Sequence, residues 1–223
     1  MNRLELVVAH YRENLNWLGN VPTASGLSVT VYDKCPDARH PGAIELPNEG
    51  REAHTYLYHL VSRYDSLAEW TVFCQGKPFD HAYNFHHLLR EFVARPEAIG
   101  PFRWLGHLID TDDAQGDRLF RNWSKNEDGR GLDLAGFHRA LLEQEGPPEY
   151  TFVLGAQFAV HRDVIRQQPL RFYQHALALS CSFPDAAHCF ERTWDRVFGL
   201  TGIDPRWLAG RKTVYLKPMK HQH

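Results

Sequence analysis

Gly155-Ala-Gln-Phe-Ala-Val-His-Arg-Asp-Val-Ile165 is the stretch on which the reading of this chain turns. An apolar strand runs into Gly155 and breaks there, because a residue without a side chain lets backbone approach a neighbour closely. The strand resumes at Phe158 and passes, at the charged pair Arg162-Asp163, into a helix. Strand, glycine break, strand and helix start in one short run point to an α/β protein with a site near the break.

The segments before it support that reading. Leu4-Glu-Leu-Val-Val-Ala9 is a short apolar run and predicts a buried strand ending in polar residues 10–14. Leu27-Ser-Val-Thr-Val-Tyr32 is β-branched and alternating, a second strand closed by Asp33 and Lys34. Residues 35–48 hold three prolines and no period, and read as a loop. Over 49–64, Ala53, Tyr56, Leu57, Leu60, Val61 and Tyr64 fall on one helical face. Trp70-Thr-Val-Phe-Cys74 predicts a third strand, stopped by Gln75-Gly-Lys-Pro78. Residues 84–94 read as a helix ending before Pro96, 102–109 as a strand, and 110–130 as charged and irregular. Helices follow at 132–145, 163–168, 170–180 and 186–198. The expected fold class is α/β: one domain over 1–223, with an open mixed sheet flanked by helices. In such sheets ligands sit outside the carboxyl ends of the strands. Those ends are residues 10–14, Asp33, 75–81 and 155–157, all polar or glycine-bearing.

Composition narrows the function classes. The chain has 223 residues, a net charge of −2, 43% hydrophobic and 23% charged residues, enough for one full core and without the field that draws a protein to nucleic acid or anionic membrane. No nucleic-acid-binding motif is present. Six Trp, nine Tyr and thirteen Phe serve either a large aromatic core or a ring-binding cleft. The fourteen His contain no HExxH, and His86 and His87 would point apart on a helix. Cys35, Cys74, Cys181 and Cys189 form no CxxC, and Cys74 reads as a small buried hydrophobe. With no signal peptide and no apolar run near the roughly 18 residues of a membrane span, a cytoplasmic protein with free thiols is expected. The oligomeric state has no signature in the sequence.

Four segments also carry a resemblance. Val7-Val-Ala-His-Tyr-Arg-Glu-Asn-Leu-Asn-Trp17, Gly50-Arg-Glu-Ala-His-Thr-Tyr-Leu57, Thr71-Val-Phe-Cys-Gln-Gly-Lys-Pro-Phe-Asp-His81 and the stretch from Gly155 to Ile165 resemble a fungal and bacterial family known as a domain of unknown function. The closing helix Phe190-Glu-Arg-Thr-Trp-Asp-Arg-Val-Phe-Gly199 resembles it too. The layout is similar to the GT-A fold of nucleotide-sugar glycosyltransferases. That similarity implies a nucleotide-binding half over 1–100, an acceptor half over 101–223, and a nucleotide-sugar co-substrate. Where GT-A enzymes place a metal-binding Asp-x-Asp, this chain reads Gln75-Gly76-Lys77. The expectation is therefore transfer without a metal, with diphosphate charge met by Lys77, Arg51 or Arg162. Asp110-Thr-Asp112-Asp113 is an Asp-x-Asp lookalike farther on, in what reads as a solvated acidic loop.

Candidate residues have two readings each. Glu13 and Asn14 either accept from a nucleotide or cap the turn holding Trp17. Asp33 suits a ribose hydroxyl or ends a strand as a turn residue. Arg51, Glu52, His54 and Thr55 open a helix whose free N–H groups make an anion site, or Arg51 pairs with a carboxylate. Asp80 and His81 are acid/base or substrate groups, or loop hydrogen bonds. Gln157 needs a partner or a cleft if buried. Arg162 meets a phosphate, or pairs with Asp163 or Glu191. Glu191 shares a helix face with Trp194 and is the expected general base, with Asp80 behind it. Gln75 and Lys77 complete the nucleotide set, and His54, Gln157, Arg162 and Trp194 the substrate set. The alternatives are a metal-dependent hydrolase or lyase using His54, Asp80, His81 and a further His, and a non-catalytic sugar- or nucleotide-binding module.

Overall fold

The computed structural model describes residues 3–23, 26–37, 40–123 and 129–216. In chain order the elements are β1 (Leu4–His10), β2 (Leu27–Asp33), β3 (Ile44–Glu45), α1 (Arg51–Arg63), β4 (Trp70–Gln75), α2 (Phe85–Ala94), β5 (Phe102–Trp104), β6 (Leu108–Asp113), α3 (Phe120–Trp123), α4 (Leu134–Leu142), β7 (Glu149–Val153), β8 (Phe158–His161), α5 (Arg162–Ile165), α6 (Leu170–Ser182), α7 (Ala186–Val197) and β9 (Thr213–Tyr215). Short 3-10 turns join several of them.

The main sheet has the order β3-β2-β1-β4-β8-β5. β1, β2, β3 and β4 run parallel, while β8 is antiparallel to both β4 and β5. The expected α/β class with a mixed, helix-flanked sheet is the one observed. β1 lies inside the sheet and is covered on both faces, which is why it reads as a nearly unbroken apolar run. Its side chains alternate between two cores. Val7 joins Tyr32, Phe73 and Phe158 beneath α1, α6 and α7, whereas Leu6 and Val8 pack with Val72, Cys74 and the apolar face of α2. The aromatic excess is largely this core: Trp194 stacks on Phe190 at 5.2 Å and lies 4.9 Å from Phe158.

The break at Gly155 is real and has a cause. Its φ is +101°, and a Cβ there would overlap the His81 ring. Glu191 on α7 closes the turn by accepting a hydrogen bond from Gly155 N at 2.7 Å.

The structure corrects the reading of 102–130. The single strand expected over 102–109 is two strands, separated at Leu105, Gly106 and His107, in different sheets. The supposed acidic loop begins as β6, the centre of a second sheet ordered β7-β6-β9. Asp110 and Asp112 are buried rather than solvated. Asp110 pairs with Arg118 and accepts from Thr213 Oγ1 at 2.9 Å. Asp112 accepts from Arg192 Nε at 2.9 Å and from the backbone N–H groups of Leu119 and Phe120 at 2.9 and 3.1 Å. Charged residues hid the strand because their charges are matched inside the protein. β3, within the expected loop 35–48, and β9 are too short for a sequence pattern to show.

Candidate functional site

Three parallel strands end side by side. His10 of β1 is in register with Asp33 of β2, and Ala9 with Gln75 of β4. A cleft of about 250 Å³ opens at this edge, with the first turn of α1 as its other wall.

Asp33 sits beneath it, 1% exposed. Its carboxylate accepts from the N–H groups of Cys35 and His40, both at 2.7 Å, and lies 3.1 Å from His10 Nδ1. Burial disfavours its charge, yet these donors outweigh burial and hold the carboxyl below its usual range. Asp33 therefore anchors the strand end and orients His10. His10 and Tyr11 line the cleft beside Glu13. Glu13 accepts from the backbone N–H of Tyr11 at 2.8 Å and of Arg12 at 3.2 Å, and its carboxylate covers Gly76.

Lys34 forms the floor. It is 6% exposed, and its ammonium donates to the carbonyl oxygens of Glu49 and Arg51. Burial lowers its pKa to about 8. Those carbonyls reach Lys34 because Gly50 and Arg51 adopt φ of +55° and +50°. Left-handed backbone at a non-glycine residue costs of order 1–3 kcal/mol and is concentrated at functional sites. On the α1 wall, Arg51 extends outward, its guanidinium 3.2 Å from His188 Nε2. Glu52 lies 3.7 Å from Arg51 Nε. Burial raises its pKa, with Arg51 opposing. Thr55, one turn on, lines the cleft with a buried hydroxyl that has no hydrogen-bond partner.

Of the residues singled out by the sequence, Glu13, Arg51, Glu52, Thr55 and Gln75 meet in this cleft, with Asp33 directly behind it. Lys77 and Asp80 form an exposed ion pair at 2.9 Å just past β4. Asn14 caps a local turn, accepting from Asn16 N at 2.8 Å. His81 packs over Gly155, and burial lowers its pKa against the opposing pull of Glu191 and Asp80. Three other residues take core or remote positions. Trp194 is fully buried among aromatic rings, since it lies on the inward face of α7. Gln157 is fully buried and donates to Pro78 O at 3.1 Å, tying the Gly155 turn to the loop after β4. Arg162 follows His161, which pairs with Trp70 at the amino end of β4, so it stands at the edge opposite the cleft. His54 is buried beside Gly50, its pKa lowered by burial to about 4, and does not line the cleft. Among the described residues, His54, Asp80 and His81 do not converge on a common ligand position. Lys34 and His10 belong to the cleft without having been singled out individually. Their only sequence signal is position at a strand end.

Glu191 is placed unlike a general base. Both its oxygens have partners: Gly155 N at 2.7 Å, and Arg192 Nη1 at 3.4 Å with His188 Nδ1 at 4.0 Å. Burial opposes its charge, but His188, Arg192 and Gly155 together lower its pKa to about 2. A base that weak takes up protons poorly at neutral pH. Its folded pKa lies below an unfolded value near 4.5, so its stabilisation is complete above that pH and is lost as pH falls toward 2. Urea midpoints measured across this range should fall on the acid side for the wild type. In Glu191→Gln that acid limb should flatten by on the order of 3 kcal/mol.

Comparison with known proteins adds a partial family match and little chemistry. Residues 6–93 match the model of a family described as Protein of unknown function (DUF3431). The first three resembling segments lie inside this match, and those beginning at Gly155 and Phe190 lie outside it. No curated protein matches the chain. Among solved structures, the chain is similar to a CMP:2-keto-3-deoxy-manno-octonic acid synthetase complexed with CTP, at 12% identity over 79% of this chain and 82% of that one, with a TM-score of 0.34. At that score neither fold nor chemistry carries across. No helix among the described residues is long and apolar enough to cross a membrane.

Proposed function

We propose that this chain binds a nucleotide sugar in the cleft at the carboxyl edge of β1, β2 and β4, and transfers the sugar to an acceptor hydroxyl. One observation carries the reading. The ends of three parallel strands and the opening turn of α1 converge there on Arg51, Lys34, Glu13, Glu52 and the unpartnered Thr55 hydroxyl. Carboxyl strand ends are where open α/β sheets hold ligands, and a helix amino end favours anions. In this proposal Arg51 and the α1 amino end meet the diphosphate, and Thr55 donates to it. Glu13 and His10 contact the nucleoside or its ribose. Glu52, rather than Glu191, accepts the acceptor's proton, because Glu52 faces the cleft and Glu191 is held against Gly155. No metal is assigned to the transfer, since Gln75-Gly76-Lys77 supplies no carboxylate and the Asp110 and Asp112 carboxylates are engaged inside the second sheet.

The test is a thermal-shift panel of nucleoside diphosphates and their sugars, run with and without chelator. A ligand at 100 times its Kd should stabilise the fold by about 2.7 kcal/mol. Arg51→Ala should weaken the selected nucleotide about 10- to 100-fold, as expected for a lost charge-assisted hydrogen bond. No nucleotide response anywhere in the panel would overturn the reading. Binding without product from any donor and acceptor would reduce it to a non-catalytic module.

A further inference from the structure

We propose that Glu49, His54 and Cys181 form a binding site for a divalent transition-metal ion of the zinc class, joining the start of α1 to the end of α6. Glu49 and His54 flank the opening turn of α1, Cys181 is remote from both in sequence, and the fold brings one ligand atom of each within 4.8 Å of the others. A carboxylate, an imidazole and a thiolate are a donor set suited to zinc, and their two negative charges match a divalent ion.

A second observation points to a ligand. His54 is 7% exposed, and its Nδ1 has no hydrogen-bond partner. Leaving a buried ring nitrogen unsatisfied is destabilising, and a metal bond to it would relieve that cost. The ring is held by stacking on Tyr58, with centroids 6.3 Å apart and planes at 26°. Gly50 explains how the segments come so close. A Cβ there would stand 2.7 Å from Ser180 O and 2.8 Å from His54 Cβ, so only glycine lets the residue after Glu49 press against the residue before Cys181. Glu49 and Cys181 are exposed, so small rotamer changes bring their ligand atoms in to bonding distance around the fixed imidazole. Three protein ligands leave a position for water or another donor. The site is distinct from the His54, Asp80 and His81 set suggested by sequence, and it does not depend on what the neighbouring cleft binds.

The experiment uses the full chain, stripped of metal and kept reduced, titrated with Co²⁺ and followed by absorbance. One equivalent should bring up a thiolate-to-cobalt charge-transfer band, which Zn²⁺ then displaces. Cys181→Ser should abolish that band. Glu49→Gln should weaken binding by at least about tenfold, since even changes to residues behind the ligands cost 10- to 100-fold. Both substitutions are at exposed positions and leave the core intact, so the test survives should His54→Gln fail to fold. Absence of a charge-transfer band would overturn the proposal. So would an unchanged band and affinity in Cys181→Ser, which would place the ion elsewhere.

Discussion

Asp112→Ala should destabilise the protein by about 3–5 kcal/mol, the cost of breaking a buried ion pair from one side. Asp112 is fully buried and Arg192 is 3% exposed. Removing the carboxylate leaves a guanidinium with the His188 carbonyl and Glu191 as remaining polar partners, over the faces of Phe152 and Phe120 at 4.8 and 5.9 Å. It also strips the acceptor from the N–H groups of Leu119 and Phe120, which open α3. Urea unfolding of the single variant measures the loss. The double variant Asp112→Leu with Arg192→Met separates its two parts. Replacing both charges removes the stranded guanidinium and should recover a share of the stability, but not all of it, because the two backbone donors remain unsatisfied. A single variant within about 1 kcal/mol of wild type would show that this pair does not hold the second sheet to α7.

The same pair shows where sequence reading stops. Apolar periodicity marked β1, β2, β4 and the face of α1, because those elements bury their pattern locally. It could not mark β6. Leu108-Ile-Asp-Thr-Asp-Asp113 carries three carboxylates, and the burial of two of them, Asp110 and Asp112, depends on Arg118 and Arg192, which arrive from a loop and from a distant helix. Charge in a sequence reads as solvent until its partner is placed. The site was legible in proportion to how local it is. Residues flanking strand ends, such as Glu13 and Asp33, and the helix opening at Arg51 follow from the rule that ligands meet carboxyl edges. Lys34 depends on two left-handed residues turning the Glu49 and Arg51 carbonyls inward, which no spacing reveals. Glu191 and Trp194 share a helix face, as i and i+3 spacing requires. Only the packing of α7 shows that this face points into the core and at Gly155 rather than into a cleft.

Under the proposed reading, Glu52→Gln should lower turnover about 10²- to 10⁴-fold, the usual contribution of a positioned proton acceptor. The amide keeps the shape of the α1 wall but cannot take a proton, so nucleotide affinity and folding stability should stay near wild type. Glu191→Gln should do the reverse. It keeps an oxygen for Gly155 N but removes the charge that Arg192 and His188 face, costing about 1–3 kcal/mol of stability at neutral pH while turnover per folded molecule persists. The pair of variants therefore discriminates between two acids that sequence alone would rank by helix position. Release of nucleoside diphosphate from the donor selected by thermal shift gives the rate, and urea unfolding gives the stability. Turnover lost in Glu191→Gln and kept in Glu52→Gln would return the base to α7, and the Gly155 turn would then have to open to expose it. Turnover kept in both would leave the cleft as a binding site whose proton acceptor lies elsewhere, with His10, 3.1 Å from Asp33, as the next group to replace.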